Sequence, residues 1–277
     1  MQPVDTQTAF DWIRDGRHEL ASRRWLNGEQ SEDSARYFSP LGRPDVRVSH
    51  LVPPLFEAYA RILHRIDAYY ENIDNPLSPA EIAILGIPPC EPLRSFVEDR
   101  RANAMGTRVR WRELAELLDV PLAPEISGAW FSKKLGEACW PRFLRPGKQW
   151  PAGEECGALV SALKIVGTKD ECFLRFSDIP FIGKAKPPLF KGALEEVCSF
   201  LREPPHRVGG FEYWWPTDRN WCVCADYDLD RTIVGGSRKL ISALLTDSVL
   251  ECIEVTTRTR IDPFVPLPEV RDPRQKL

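Results

Sequence analysis

Between Trp214 and Asp230 the chain runs Trp-Trp-Pro-Thr-Asp-Arg-Asn-Trp-Cys-Val-Cys-Ala-Asp-Tyr-Asp-Leu-Asp, and Gly235-Gly236-Ser237 follows closely. Side chains of an extended segment alternate between two faces. Trp221, Val223, Ala225, Tyr227 and Leu229 then share one face, while Cys222, Cys224, Asp226, Asp228 and Asp230 share the other. The alternation predicts a strand with one core face and one face loaded with thiols and carboxylates. Ser237 is a favoured helix N-cap residue type. Leu240, Ile241, Leu244 and Leu245 follow it at helical spacing, so a helix is expected from Ser237 to Leu245. Strand, turn and capped helix within one segment point to a fold that mixes a sheet with packed helices.

Other segments extend this pattern. Helices are predicted over 6–26 around Phe10, Ile13, Leu20 and Trp25, over 154–166 around Leu159, Leu163 and Val166, and over 194–201 around Leu194, Val197, Cys198 and Leu201. Trp111, Leu114, Leu117 and Leu118 mark a shorter one. The clearest helical spacing is that of Leu55, Tyr59, Ile62, Leu63 and Ile66, with Glu57 and Arg61 as an i,i+4 pair on the opposite face and Pro54 in the first turn. Strands are expected at 46–48, 108–110, 172–176, from 189, at 232–234 and at 250–255. Helices and strands intersperse without a βαβ rhythm, which predicts an α+β fold with a mixed or antiparallel sheet and packed helices. Residues 1–277 read as one compact unit. Pro141, Pro146, Gly147, Pro151 and Gly153 interrupt regular structure in the stretch 121–153 and place a seam between two lobes near 141–153. Residues 262–277 read as an extended, proline-bearing tail.

Charge and cysteine usage narrow the function classes. The 277 residues carry a formal net charge of −3, with an isoelectric point near 5.9. A nucleic-acid binder neutralises phosphates with a basic surface, which this balance disfavours. No run approaches the roughly 18 apolar residues of a membrane span. Asp5, Asp11 and Asp15 stand where a secretory signal would be cationic and then apolar. The eight cysteines are scattered singly, at 90, 139, 156, 172, 198, 222, 224 and 252, a usage that suits a reducing compartment rather than a disulfide framework. A cytoplasmic protein without a membrane segment is expected.

Candidate chemistry concentrates after Trp214. Asp226, Asp228 and Asp230 would share one strand face and offer oxygen ligands to a hard divalent cation; if the strand ends near Asp226, they only solvate a turn, with Arg219, Arg231 or Arg238 as ion-pair partners. Cys222 and Cys224 have a zinc-ligand residue type with one intervening residue instead of two, and read more plainly as buried thiols. Gly235, Gly236 and Ser237 place small residues at a helix start, the setting that receives an anion, with Arg219 or Arg238 as its counter-charge. His18-Glu19 lacks a second histidine four residues on, because position 22 is Ser. His64 falls near the polar side of its predicted helix, and His50, at the entry to that helix, is the histidine best placed for acid or base work. Adjacent Trp214 and Trp215 point to opposite sides of an extended segment. One of them is therefore expected at a surface or partner interface.

Several blocks also carry a resemblance. Leu51 through His64, Val109-Arg110-Trp111, Thr168 through Phe173, and Trp214 through Ser237 resemble a family of uncharacterised bacterial proteins, familiar mainly from actinobacterial genomes. The resemblance covers roughly 46–66 and 108–255, marks 67–107 as an insertion relative to the family pattern, implies a common fold and carries no activity with it. Two functional expectations follow from the residues. The first is a non-enzymatic cytoplasmic interaction protein of the immunity or regulatory type, needing no cofactor and taking another protein as partner. The second is a small-ligand or metal-dependent enzyme with its site where the Asp226–Asp230 strand end meets the Gly235–Ser237 turn.

Overall fold

The computed structural model describes residues 2–4, 12, 46–68, 108–134, 144–146, 153–166, 171–176, 189–200, 211–225, 231–262 and 265–268. The chain divides into two units: Met1–Arg65 with Pro146–Ile261, and Ile66–Arg145 with Asp262–Leu277. In chain order the strands are β1 (Gln2–Val4), β2 (Ala58–Leu63), β3 (Ile66–Ala68), β4 (Arg108–Val109), β5 (Leu144–Pro146) and β6 (Glu171–Phe176). They continue as β7 (Leu189–Ala193), β8 (Phe211–Pro216), β9 (Cys222–Cys224), β10 (Arg231–Gly236) and β11 (Cys252–Val255). The helices are α1 (Val48–Leu51), α2 (Trp111–Leu117), α3 (Gly128–Lys134), α4 (Glu154–Lys164), α5 (Val197–Phe200) and α6 (Arg238–Thr246). Helices and sheets in this arrangement make an α+β fold.

The first unit is organised by an eight-stranded sheet in the order β1-β7-β6-β8-β9-β10-β2-β11. Every pairing in it is antiparallel. Both faces of its middle are buried. Ala58, Ala60 and Ile62 of β2, Trp214 of β8, Val223 of β9 and Val234 of β10 pack in one cluster with Leu159 and Leu163 of α4 and Leu240, Ile241 and Leu244 of α6. Tyr59, Tyr213, Trp215, Cys222, Cys224 and Ile233, the alternate residues of the same strands, pack on the other face with Val48, Leu51, Val52 and Ile261.

Burial on both faces explains the largest departure from the sequence expectation. Residues 55–66 hold no helix; Ala58–Leu63 is a strand, buried at every position, between β10 and β11. A strand buried on both faces loses its polar alternation and reads as a continuous apolar run. The spacing of Leu55, Tyr59, Ile62 and Leu63 then matches a helical template without being one. Arg61 is buried on this strand. The 46–48 segment differs as well: Arg47 makes a single antiparallel bridge to Arg260, and Val48 already opens α1.

The stretch from Trp214 onwards is a hairpin instead of one long strand. β8 ends at Pro216 and β9 returns antiparallel to it, with Tyr213 opposite Cys224 and Trp214 opposite Val223. The connecting residues carry strong turn chemistry. The Arg219 N–H donates to the Pro216 carbonyl at 3.1 Å. The Asn220 N–H donates to Asp218 Oδ1 at 3.2 Å. Trp214 and Trp215 do face opposite sides, yet both are buried, with 0% and 1% exposure. Trp214 meets Trp221 edge-on at 5.3 Å, and Trp215 stacks on Phe173 at 5.5 Å. The expectation of an interface tryptophan is corrected: the second face of the sheet is covered too, so neither ring is left for a partner. For the same reason Cys222 and Cys224 lie in a core.

The cysteine expectation also changes. Cys156 of α4 and Cys198 of α5 form a disulfide, with Cα atoms 6.0 Å apart. Lys164 and Glu195 add an ion pair at 2.8 Å between α4 and the single 3-10 turn before α5. Among the described residues Cys172, Cys222, Cys224 and Cys252 form no disulfide.

In the second unit β3 is the middle strand of a three-stranded sheet and pairs antiparallel with β4, Ile66 opposite Val109. Trp111 of α2 and Phe131 of α3 are 5.5 Å apart between ring centres. The Trp130 Nε1–H donates to the Val265 carbonyl at 2.8 Å. Helix α3 falls inside 121–153, where no regular element is expected; the breaking residues from Pro141 to Gly153 all lie beyond its end at Lys134.

Gly235 supplies a direct check of this packing. A Cβ built there would lie 2.4 Å from Phe56 Cδ2, 2.9 Å from Val52 Cγ1 and 3.0 Å from Tyr59 Cε1. Gly235→Ala is expected to lower the unfolding free energy by about 1–3 kcal/mol through overpacking, read from the urea midpoint. Gly236→Ala meets a single contact under 3.0 Å, Leu240 Cδ2 at 2.6 Å, and should cost less. Equal midpoints for wild type and Gly235→Ala would contradict the placement of Phe56.

Candidate functional site

A cleft of about 640 Å³ opens in the first unit where the 53–57 loop, the 217–220 turn, the start of α6 and the end of α4 approach one another. Its walls include Leu55, Phe56 and Glu57, Arg219 and Asn220, Gly236, Ser237 and Lys239, Ile165 and Val166, and Trp12.

Each wall is held by a local cause. Tyr59, the first residue of β2 facing away from α4 and α6, donates its hydroxyl to the Pro53 carbonyl at 3.0 Å and accepts the Phe56 N–H at 3.0 Å. Burial pushes the Tyr59 phenol up, so the hydroxyl stays protonated and keeps both bonds at neutral pH. Phe56 sits over the bare Cα of Gly235. With Phe56 turned inward, Leu55 is turned outward and is 69% exposed; across the cleft Ile165 is 46% exposed. These are the exposed large hydrophobic residues among the described ones.

The polar side of the cleft comes from the hairpin and α6. Arg219 adopts φ +60°, a left-handed conformation that costs a residue with a Cβ about 1–3 kcal/mol. Its guanidinium carbon lies 5.4 Å from the centre of the Trp12 ring. Trp12 in turn meets Phe56 and Trp215 edge-on, each at 6.4 Å. Its Nε1–H is buried without a hydrogen-bond partner. Lys239 lines the same cleft and makes no ion pair among the described residues.

The start of α6 is already satisfied from within. Ser237 is the N-cap, and its Oγ accepts the Leu240 N–H at 3.3 Å. Glu57 Oε2 accepts the Arg238 N–H at 2.9 Å, placing a carboxylate at the positive end of the helix. Gly235 and Gly236 are the last two residues of β10 and have no positive φ; they make room for Phe56 and Leu240 rather than forming a flexible anion cradle. Arg238 pairs with Glu254 and is not a wall of the cleft. Of the residues expected around an anion, the structure thus brings Gly236, Ser237 and Arg219 to one cleft, with Lys239 in the place expected of Arg238.

Asp226, Asp228 and Asp230 lie outside the described residues. Among the described residues, no group of three or more His, Cys, Asp or Glu side chains is placed to hold a metal ion. His50 accepts the Arg47 N–H on Nδ1 at 3.1 Å, closing the first turn of α1. His64 is buried against Thr232 of β10, Nε2 to Oγ1 2.8 Å, which corrects the expectation of a polar helix face. His18 and His206 are not described. Burial pushes the Cys172 thiol up to about 12, its hydrogen bond with Trp214 offsetting only part of that, so it stays a thiol near neutral pH.

Leu55, Glu57, Lys239, Ile165 and Trp12 were not singled out by residue type. The helical spacing of 55–66 places Leu55 and Glu57 on a helix, with Leu55 turned inward. Only the strand assignment of β2 turns Leu55 to solvent. For Lys239 the signal was present, since Leu240, Ile241 and Leu244 form the apolar face of α6 and leave Lys239 off it. Comparison with protein-family models, with curated proteins and with solved structures returns no match for this chain.

Two outcomes follow for this site. Arg219→Gly removes the left-handed cost and also a cation–π contact of about 0.5–1 kcal/mol, so its thermal midpoint should stay level or rise. A fall of several degrees would mean that Arg219 serves the fold. Iodoacetamide applied to the native protein at neutral pH should leave Cys172, Cys222 and Cys224 unmodified by peptide mapping, whereas labelling at Cys222 or Cys224 would place them outside the core.

Proposed function

We propose that this chain is a non-enzymatic interaction protein of the immunity or regulatory type, and that it holds a partner protein at the cleft bounded by Leu55, Ile165, Arg219 and Lys239. The observation that carries the reading is the coincidence of exposed apolar side chains with that concavity: Leu55 and Ile165 both line it. Exposed apolar groups clustered around a concavity are characteristic of contact surfaces, while scattered ones are not. The contact thus moves away from the buried Trp214 and Trp215, although an aromatic ring and an arginine, Trp12 and Arg219, still contribute to it.

A cytoplasmic location and membership of the bacterial family are part of the same proposal. Among the described residues no helix is long and apolar enough to cross a membrane. The buried thiols outside any disulfide suit a reducing compartment, and the Cys156–Cys198 bond weighs against one. The size of the cleft also falls within the range of small-molecule pockets, which supports a second reading as a small-ligand protein.

Partner binding separates these readings. A protein that co-purifies with the wild-type chain is identified, purified and titrated against wild type, Leu55→Glu and Ile165→Glu. Each substitution should weaken binding by about tenfold or more with the melting midpoint unchanged, as expected for central contact residues. Affinities within twofold of wild type for both variants would place the contact elsewhere.

A further inference from the structure

We infer that the partner segment received by the cleft is acidic: it sets a carboxylate against Arg219 and Lys239 and an apolar side chain against Leu55 and Ile165. This inference rests on the reading of the cleft as the contact surface and adds the chemistry of what it receives.

The charges of the cleft carry it. Among the described residues, three ionisable side chains line the cavity, Glu57, Arg219 and Lys239. Glu57 is already engaged, its carboxylate accepting the Arg238 N–H at the start of α6. The neighbouring Arg238 is neutralised by Glu254. Arg219 and Lys239 have no carboxylate partner among the described residues, so the uncompensated charge facing an incoming segment is positive. An acidic group is the complement that such a surface selects.

Arg219 is also built for a contact rather than for the fold. Its left-handed backbone is one that glycine or asparagine adopts with less strain, and the turn is already closed by the Asp218–Asn220 bonds and the Arg219 N–H to Pro216. The strain sets the side chain over Trp12, which removes conformational freedom before any ligand arrives. A guanidinium fixed at the wall of a cleft suits a planar carboxylate. The exposed Leu55 and Ile165 favour a protein segment over a nucleic-acid backbone, whose phosphates would gain nothing from them.

The probe is a phage-displayed library of random twelve-residue peptides selected on the full-length protein. Enriched peptides are synthesised and titrated by fluorescence anisotropy against wild type, Arg219→Gln, Lys239→Gln and Leu55→Glu. The expected result is enrichment of Asp or Glu within a few positions of a large apolar residue. Arg219→Gln and Lys239→Gln should each weaken binding by about fivefold or more, and affinity should fall as salt rises. A peptide with its acidic residue changed to Lys should lose binding to wild type and regain it on Arg219→Glu. Enriched peptides that lack acidic residues, depend on Leu55 and bind both Gln variants within twofold overturn the acidic occupant and leave the interaction reading standing. Binding that ignores Leu55→Glu as well, or a library that enriches nothing, overturns both. Displacement of the peptide by millimolar inorganic phosphate, but not by acetate, replaces the carboxylate with a phosphate-bearing ligand and also overturns the inference.

Discussion

Burial of β2 and β10 on both faces is the constraint on which the first unit depends. Their alternate residues point into two cores, one under α4 and α6 and the other under α1 and the residues around it. Neither strand has a solvent face to carry polar residues, so glycine becomes necessary wherever a large ring must approach. Gly235 admits Phe56, and the Tyr59 hydroxyl pins the loop that bears Phe56 by bonding Pro53 and the Phe56 N–H. With the loop fixed in that way, Leu55 has no inward place left. The exposure of Leu55 is thus a consequence of the core packing of its neighbour Phe56.

The same coupling runs through the hairpin and α6. Pro216, Asp218 and Asn220 close the turn between β8 and β9, and Arg219 is held left-handed within it. Glu57, from the loop pinned by Tyr59, caps the first N–H of α6. An electrostatic site that residue types alone assign to an external anion is therefore partly filled by the protein's own carboxylate. Among the described residues of the cleft, the cations without a carboxylate partner are the next pair along, Arg219 and Lys239, beside the exposed side chains of Leu55 and Ile165.

The α+β class was legible because several elements advertise themselves locally. Ser237 followed by Leu240, Ile241 and Leu244 announces a capped amphipathic helix, and α4 and the 171–176 strand show their periods in the same way. β2 was hidden because two-sided burial erases the alternation that identifies a strand, leaving Leu55 to Ile66 to match a helical spacing. Trp214 and Trp215 were correctly expected on opposite faces, but the cover over the second face comes from Val48, Leu51, Val52 and Ile261, distant in sequence from both. Cys156 and Cys198 lie 42 residues apart and meet only through the packing of α4 on α5, so their spacing carried no sign of a bond. Arg219, Gly236 and Ser237 were singled out by type, whereas Leu55 and Ile165 become notable only once exposure is known.

We place the contact surface of the protein at the cleft built by this packing, rather than at the tryptophan pair or the thiol-bearing face of β9. Amide hydrogen exchange of the full chain, with and without a bound partner, tests it most directly. Contact at the cleft requires slower exchange on binding in peptides covering 55–57, 217–220 and 237–240, with β9 slow in both states. Protection confined to other segments, with those three unchanged, would contradict it.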